Sequence, residues 1–151
     1  MWFISSVAYL QTAMDTNIIG TVTELKSEIR LMELGYIVSQ PLTPVRYDYI
    51  IDTGTNLYKV QSKACHLEGD GEKIVFSTCS SHYVNGQHTH NNYKDDGIDF
   101  FSTFYNGECY LIPVSECGKR EKCLRLRPTK NGQIKNISFA KDYLAQEVLS
   151  K

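Results

Sequence analysis

Residues 46–64, RYDYIIDTGTNLYKVQSKA, contain two apolar-rich runs separated by a short polar turn. β-Branched and aromatic residues on either side of such a turn are typical of a β-hairpin. Each run also carries polar side chains where a fully buried strand would carry valine: Asp48 in the first run, Gln61 and Lys63 in the second. The pairing of the two strands decides whether these three side chains meet.

A four-residue turn predicts the register of this hairpin. With that turn, Tyr49 lies opposite Val60 and Asp48 lies opposite Gln61. Because side chains alternate between the two faces of a sheet, Tyr49 and Val60 would face the core, and Asp48, Gln61 and Lys63 would share the other face. An exposed polar sheet face explains the same alternation, and a slip of one residue would separate the three polar side chains.

The remaining sequence predicts a helix, several strands and a second helix. Apolar residues at steps of three and four from Ile18 to Met32 predict an amphipathic helix, which Gly35 ends. An Asn106-Gly107 pair predicts a tight hairpin, and residues 79–97 are polar enough to predict a long loop or arm. A closing helix is predicted after Ser138. The strands are predicted at 36–40, 47–52, 57–63, 73–78, 100–105 and 108–114. This order predicts the α+β class with a mixed β-sheet flanked by helices.

Length and composition favour one globular domain. The chain has 151 residues, of which 42% are hydrophobic and 22% charged, so we expect an N-terminal extension at 1–14 and a single domain at 15–151. No apolar run reaches the roughly 18 residues that a membrane helix needs, and the odd, irregularly spaced cysteines indicate a reducing compartment. We therefore expect a cytoplasmic protein without membrane partners.

Two groups of residues permit more than one interpretation. Cys79, His82, His88 and His90 could form a zinc site, but their spacing lacks the paired ligands usual in such sites, so a polar loop with incidental histidines explains them better. Residues 119–141 contain eight basic residues and the single acid Glu121. That cluster could neutralise phosphates, or it could be a solvated face of an ordinary domain.

The ordered motifs resemble the PD-(D/E)XK nuclease superfamily, in the variant where glutamine replaces the second acid. The chain is similar in particular to the small PD-(D/E)XK homing endonucleases of group I introns, over about residues 15–145. The Pro-Asp pair appears here as Tyr47-Asp48, and the only lysine or arginine in the 79–97 loop is Lys94. The matching motifs are Gly20-x-x-x-Glu24, ELGYIVSQP (33–41), RYDYIID (46–52), LYKVQSK (57–63), FST-x-SS (76–81), Tyr93, IDFFSTFY (98–105), YLIPV (110–114) and LRLRPTKNGQIKNISFAKDY (124–143).

The resemblance implies an α/β/α-like restriction-endonuclease core and a catalytic set of Glu24, Asp48, Gln61 and Lys63. Asp48, Glu24, the Gln61 amide and the Ser62 carbonyl would hold Mg²⁺, with Mn²⁺ as a substitute, because hard cations prefer oxygen ligands. Lys63 would position the attacking water. Taken alone, Glu24 has another explanation, because Thr21-Val22-Thr23-Glu24 matches a helix capping box.

The implied activity is Mg²⁺-dependent, site-specific cleavage of double-stranded DNA, as in intron homing. A Holliday-junction resolvase and a catalytically inactive DNA-binding protein remain alternatives. Cutting both strands calls for a homodimer or homotetramer, associated with the nucleoid when bound to DNA. The predicted DNA contacts are Ser80, Ser81, His82, Asn91, Asn92, Tyr93, Lys94, Arg125, Arg127 and Lys130.

Overall fold

The first helix of the fold, α1, spans Thr16–Glu33 in a computed structural model of the chain. The structure describes residues 15–84, 87–92 and 97–151, with the backbone alone at 81–84 and 87–92. Asp15 caps the helix by accepting a hydrogen bond from the Asn17 amide at 3.1 Å. Gly35 follows the helix end with φ +91°, a conformation that favours glycine. The predicted helix and its end are confirmed.

In the described part of the chain, ten strands and a second helix follow α1. The strands are β1 Ile37–Ser39, β2 Tyr49–Asp52, β3 Leu57–Ser62, β4 Cys65–Glu68, β5 Lys73–Ser77, β6 Cys79–Val84, β7 Gln87–Asn92, β8 Phe100–Tyr105, β9 Glu108–Pro113 and β10 Glu121–Arg125. A 3₁₀ turn at Val114–Glu116 follows β9, another at Ala140–Tyr143 follows β10, and α2 spans Ala145–Leu149.

The strands of the described residues form a mixed sheet and two smaller sheets. The main sheet has the order β1-β2-β3-β8-β9, in which β3 and β8 run parallel and the other neighbours run antiparallel. A second sheet has the order β10-β5-β4, and β6 pairs with β7. The predicted α+β class with a mixed sheet is therefore confirmed.

The β2–β3 hairpin has the predicted register. Tyr49 pairs with Val60 and Asp52 pairs with Leu57. The turn is closed by the Thr53 amide, which donates to the Asn56 carbonyl at 3.0 Å. The register of this hairpin can therefore be taken from the sequence.

The main sheet buries both faces. One face, including Tyr49, Ile51 and Val60, packs with Leu31 of α1 and Ala145 of α2. The opposite face packs against the second sheet, in a cluster that includes Phe101 and Ile112 from the main sheet and Ile74, Phe76 and Leu124 from the second sheet. The main sheet is thus the middle layer between the helices and a smaller sheet.

Three predicted segments differ from the structure. Residues 79–97 contain the paired strands β6 and β7, whereas the polar sequence predicts a loop. The short strands β4 and β10 were not predicted, since β4 mixes His66 and Glu68 with two apolar residues and β10 has three charged residues among five. The predicted closing helix is interrupted at Leu144, whose φ of −55° and ψ of 136° are not helical and which bridges to Tyr110. Phe139, not Ser138, precedes the 3₁₀ turn.

The apolar stripe of α1 does not face the sheet. The buried residues of the helix are Ser27, Glu28 and Leu31, whereas Leu25 and Ile29 on the stripe are 46% and 52% exposed. Amphipathic helices normally bury their apolar stripe against the core, so α1 is packed with its apolar side outward. Within the described part of the chain, no helix is long and apolar enough to cross a membrane.

Candidate active site

Asp48, which directly precedes β2, is held by three hydrogen bonds to β3. Its amide donates to the Val60 carbonyl at 2.8 Å. Its carboxylate Oδ2 accepts from the Ser62 amide at 2.6 Å and from the Gln61 side-chain Nε2 at 2.5 Å. The hairpin register therefore fixes both the position and the orientation of this carboxylate, as the sequence predicts.

The Gln61 amide lies between two oxygen atoms. Its Nε2 is 2.5 Å from Asp48 Oδ2 and 3.5 Å from the Ser62 carbonyl oxygen. The amide nitrogen, and not the expected oxygen, thus faces Asp48. A half-turn of the amide exchanges the positions of its nitrogen and oxygen. After that rotation, the amide oxygen would face the site and could bind a cation.

Lys63 lies just beyond the end of β3 and contacts two other elements. Its amide donates to the Ser102 carbonyl of β8 at 2.8 Å, and its ammonium Nζ donates to the Cys79 carbonyl of β6 at 3.3 Å. The positive charge of Lys63 also lowers the pKa of Asp48. The lysine is therefore close enough to Asp48 to act on the same bound group.

Burial decides the net shift of Asp48. Desolvation raises the pKa of this carboxyl, and the charge of Glu28 adds to the rise. The Ser62 amide, Lys63 and Gln61 each lower the pKa, but burial is the largest effect and the pKa lies above its ordinary value. Burial thus favours the protonated form of Asp48 more strongly than the Ser62 amide, Lys63 and Gln61 favour the ionised form.

Glu24 faces this site from the interior of α1. Its pKa is raised to about 7, first by burial and then by the charges of Asp48 and Glu28. The capping-box explanation of Glu24 is wrong, because α1 begins at Thr16 with Asp15 as its cap. The hydroxyl of Thr21 instead donates to a carbonyl of the preceding helical turn.

Glu28 is a third carboxylate that the sequence motifs did not indicate. It lies four residues after Glu24 on α1, it is 7% exposed, and its Oε1 accepts from the Gln40 side chain at 2.8 Å. Residues four apart share one helix face, so the spacing from Glu24 was the available signal. Its charge raises the pKa of both Glu24 and Asp48.

Asp99 braces the site from outside it. Its Oδ2 accepts from the Lys59 amide at 2.8 Å, and its own amide donates to the Lys59 carbonyl at 2.9 Å. These two bonds join the start of β8 to β3. Asp99 therefore holds two neighbouring strands together beside the site.

The donor set suits a hard divalent cation. Asp48 and Glu24 supply carboxylates, and the Ser62 carbonyl lies beside the Gln61 amide. Oxygen ligands of this kind, completed by water, are those that Mg²⁺ prefers. A cation would offset the burial of charge, which is the main cause of both raised carboxyl pKa values, and the smaller repulsion between the carboxylates. Among the described residues, no three His, Cys, Asp or Glu side chains form a metal site by themselves, so the carbonyl and water would have to complete the ligands.

The predicted DNA contacts are only partly within the described side chains. Arg127 and Lys130 are exposed, whereas Arg125 donates to Glu72 at 2.9 Å and Ser80 Oγ is buried without a hydrogen-bond partner in the described part of the chain. The others lie outside the described side chains: Ser81, His82, Asn91, Asn92, Tyr93 and Lys94. The same holds for the histidines of the alternative zinc site, His82, His88 and His90.

The chain belongs to the PD-(D/E)XK endonuclease family, whose sequence profile matches residues 14–146. It is therefore a nuclease of a class that generally uses divalent metal ions and acts on DNA. The fold is similar to the structure of a bacterial homing endonuclease, I-Ssp6803I, with a TM-score of 0.70 and 20% sequence identity. That similarity covers 91% of this chain and 93% of the other. No curated protein matches the sequence.

Proposed function

We propose that the protein is a Mg²⁺-dependent, site-specific endonuclease that cuts double-stranded DNA, with intron homing as its role. The observation that carries the proposal is the contact of Asp48 with the Ser62 amide and the Gln61 side chain, beside the charge of Lys63. Residues 15–151 would act as one nuclease domain. The fold likeness to a homing endonuclease supports the role, and Mn²⁺ would substitute for Mg²⁺.

The side chains divide the work of phosphodiester hydrolysis. Asp48, Glu24 and the Ser62 carbonyl would hold the cation, with the Gln61 amide oxygen as a further ligand after rotation. When bound, the cation supplies positive charge to the phosphate and lowers the pKa of water. Lys63 would orient the attacking water and stabilise negative charge on the phosphate, because its ammonium lies within electrostatic reach of Asp48.

DNA would contact both the β6–β7 hairpin and the basic segment 119–141. These two parts meet at Arg120, whose carbonyl accepts from the Thr78 amide, directly before the hairpin, at 2.9 Å and from Cys79 Sγ, at the start of the hairpin, at 3.8 Å. Phosphates would bind the exposed Arg127 and Lys130, while the polar side chains of the hairpin would read base edges. One chain supplies one set of catalytic residues, so cleavage of both strands calls for a homodimer or homotetramer.

The experiment compares the wild type with Asp48→Ala and Lys63→Ala on DNA that contains the target, in Mg²⁺ and in EDTA. We expect cleavage by the wild type in Mg²⁺ alone and a loss of at least about 10²-fold in each variant. Equal cutting by all three proteins would overturn the site assignment. Preferential cutting of a four-way junction over a linear duplex would replace homing by junction resolution.

A further inference from the structure

The outward face of α1 carries an unusually regular apolar seam. We define this seam as Ile18, Val22, Leu25, Ile29 and Met32, which follow one another at steps of four, three, four and three residues. Val22 is half-buried, and the other four residues are each about half exposed. Several half-exposed apolar side chains in one continuous row form the kind of patch that marks an interaction site.

The spacing indicates what covers the seam. Alternating steps of four and three place an apolar residue about every 3.5 residues along the helix. A stripe that narrow packs against the side of another helix better than against the face of a sheet. In this chain the sheet already packs on the other side of α1, through Ser27 and Leu31. Among the described residues, the seam is therefore left open to a helix of another molecule.

The seam is nearly symmetric about its centre. Ile18 and Met32 each lie seven residues from Leu25, and Val22 and Ile29 lie three and four residues from it. An interface on a twofold axis must match itself, with each residue meeting its symmetry partner. Two antiparallel copies of α1 would place Leu25 against Leu25 and Ile18 near Met32, so every apolar side chain would meet another.

We propose that the α1 seam is the surface through which two copies of this chain associate, as an antiparallel helix pair centred on Leu25. The inference rests on the proposed function, which needs two active sites for two DNA strands, and it adds the surface that joins them. α1 is 18 residues long, about 27 Å, and it carries Glu24 beside the site as well as the seam. In each copy, the helix that carries Glu24 would thus also form the contact with the other copy.

The first test measures the mass of the full chain in solution by light scattering. We expect a dimer or a larger even assembly for the wild type and a monomer for Leu25→Glu at the same concentration, with an unchanged far-ultraviolet circular dichroism spectrum. Leu67→Glu is the matched control, because Leu67 is 47% exposed on β4 and lies outside the seam. It should keep the wild-type mass.

A second test detects the antiparallel arrangement directly. Under mild oxidation, Leu25→Cys should give a dimer on a non-reducing gel, because residues on the twofold axis bring their β-carbons close together. Leu67→Cys and the wild type, which carries five native cysteines, should stay monomeric on that gel. An absence of crosslinking by Leu25→Cys at concentrations where the wild type is dimeric would overturn the antiparallel pairing.

Other results would overturn the proposal in recognisable ways. A monomeric wild type, or a Leu25→Glu variant of unchanged mass, excludes the seam as the joining surface. A wild type that becomes dimeric only after deletion of residues 1–13 would show that this apolar segment covers the seam instead. DNA cleavage distinguishes a failure of this proposal from a failure of the proposed function. A monomeric Leu25→Glu variant should nick one strand at least about 10-fold faster than it cuts both, whereas Asp48→Ala should do neither.

Discussion

The ammonium of Lys63 donates a hydrogen bond to the main-chain carbonyl of Cys79, with 3.3 Å between Nζ and O. Cys79 is the first residue of β6, and the same carbonyl accepts from the Ser77 hydroxyl at 3.1 Å. The proposed catalytic lysine thus touches the base of the hairpin that would contact DNA. A shift of this hairpin on DNA binding would change the position of the Lys63 ammonium.

Replacement of the lysine should separate catalysis from binding. Lys63→Met keeps the length of the side chain but removes its charge, so single-turnover cleavage should fall by about 10² to 10⁴-fold while DNA affinity changes little. Lys59→Met is the control on the same strand, since its ammonium lies over the Tyr47 ring instead. Equal losses of cleavage in the two variants would refute the special role of Lys63.

Neutralising Asp48 should remove the response to metal without harming the fold. In Asp48→Asn the side-chain oxygen can still accept from the Ser62 amide, and the burial cost of the charge disappears. The melting temperature in EDTA should therefore equal or exceed that of the wild type. Addition of Mg²⁺ should raise the melting temperature of the wild type only, and a persistent rise in the variant would exclude Asp48 as a ligand.

The stability of the metal-free chain should depend on pH through Glu24. Its pKa is raised from 4.5 to about 7, so the folded state favours the protonated form. The stabilisation that the protonated Glu24 gives to the folded state is complete below pH 4.5 and is lost as the pH rises through about 7.

Glu24→Gln cannot ionise and should escape that loss. After a discount for solvent screening, it should be more stable than the wild type by on the order of 1 kcal/mol at pH 8 and by nothing at pH 4. Urea unfolding in EDTA at both pH values measures the difference. A stability gain that is the same at pH 4 and pH 8 would contradict the shifted carboxyl.

A hydrogen bond between two buried hydroxyl groups links two strands of the main sheet. The Tyr49 hydroxyl of β2 donates to Ser102 Oγ of β8 at 2.7 Å, across the intervening β3. Tyr49→Phe should cost about 1 to 2 kcal/mol of unfolding free energy. Ser102→Ala and the double variant complete a double-mutant cycle, and strictly additive costs would mean that the two groups do not interact.

The hairpin at the centre of the fold could be predicted because its register follows from local chemistry. A polar turn and alternating apolar residues are sufficient to place Tyr49 opposite Val60 and to bring Asp48 to β3. Other predictions failed where tertiary contacts outweigh local pattern. The bridge between Leu144 and Tyr110 interrupts a segment with helical spacing, and β10 forms from a charged run because β5 offers a partner along its whole length.

The carboxylate cluster was predicted only in part. Asp48, Gln61 and Lys63 lie within one hairpin and its end, whereas the burial of Glu28 depends on which face of α1 meets the sheet. The apolar stripe indicated the opposite face, since in a chain that acts alone the stripe would be the buried side. When the apolar side of a helix contacts another molecule, the periodicity of the helix does not show which side packs on its own sheet.

The central place of β5 in the second sheet has a consequence for how the chain is made. β4 and β5 are adjacent in sequence, but β10, which pairs with the other edge of β5, begins only at Glu121. Until the ribosome releases that segment, the apolar run Ile74–Phe76 has an open edge where a strand of another nascent chain can pair. Yield of active enzyme on expression or refolding should therefore fall steeply with chain concentration, well before the mature fold itself becomes unstable.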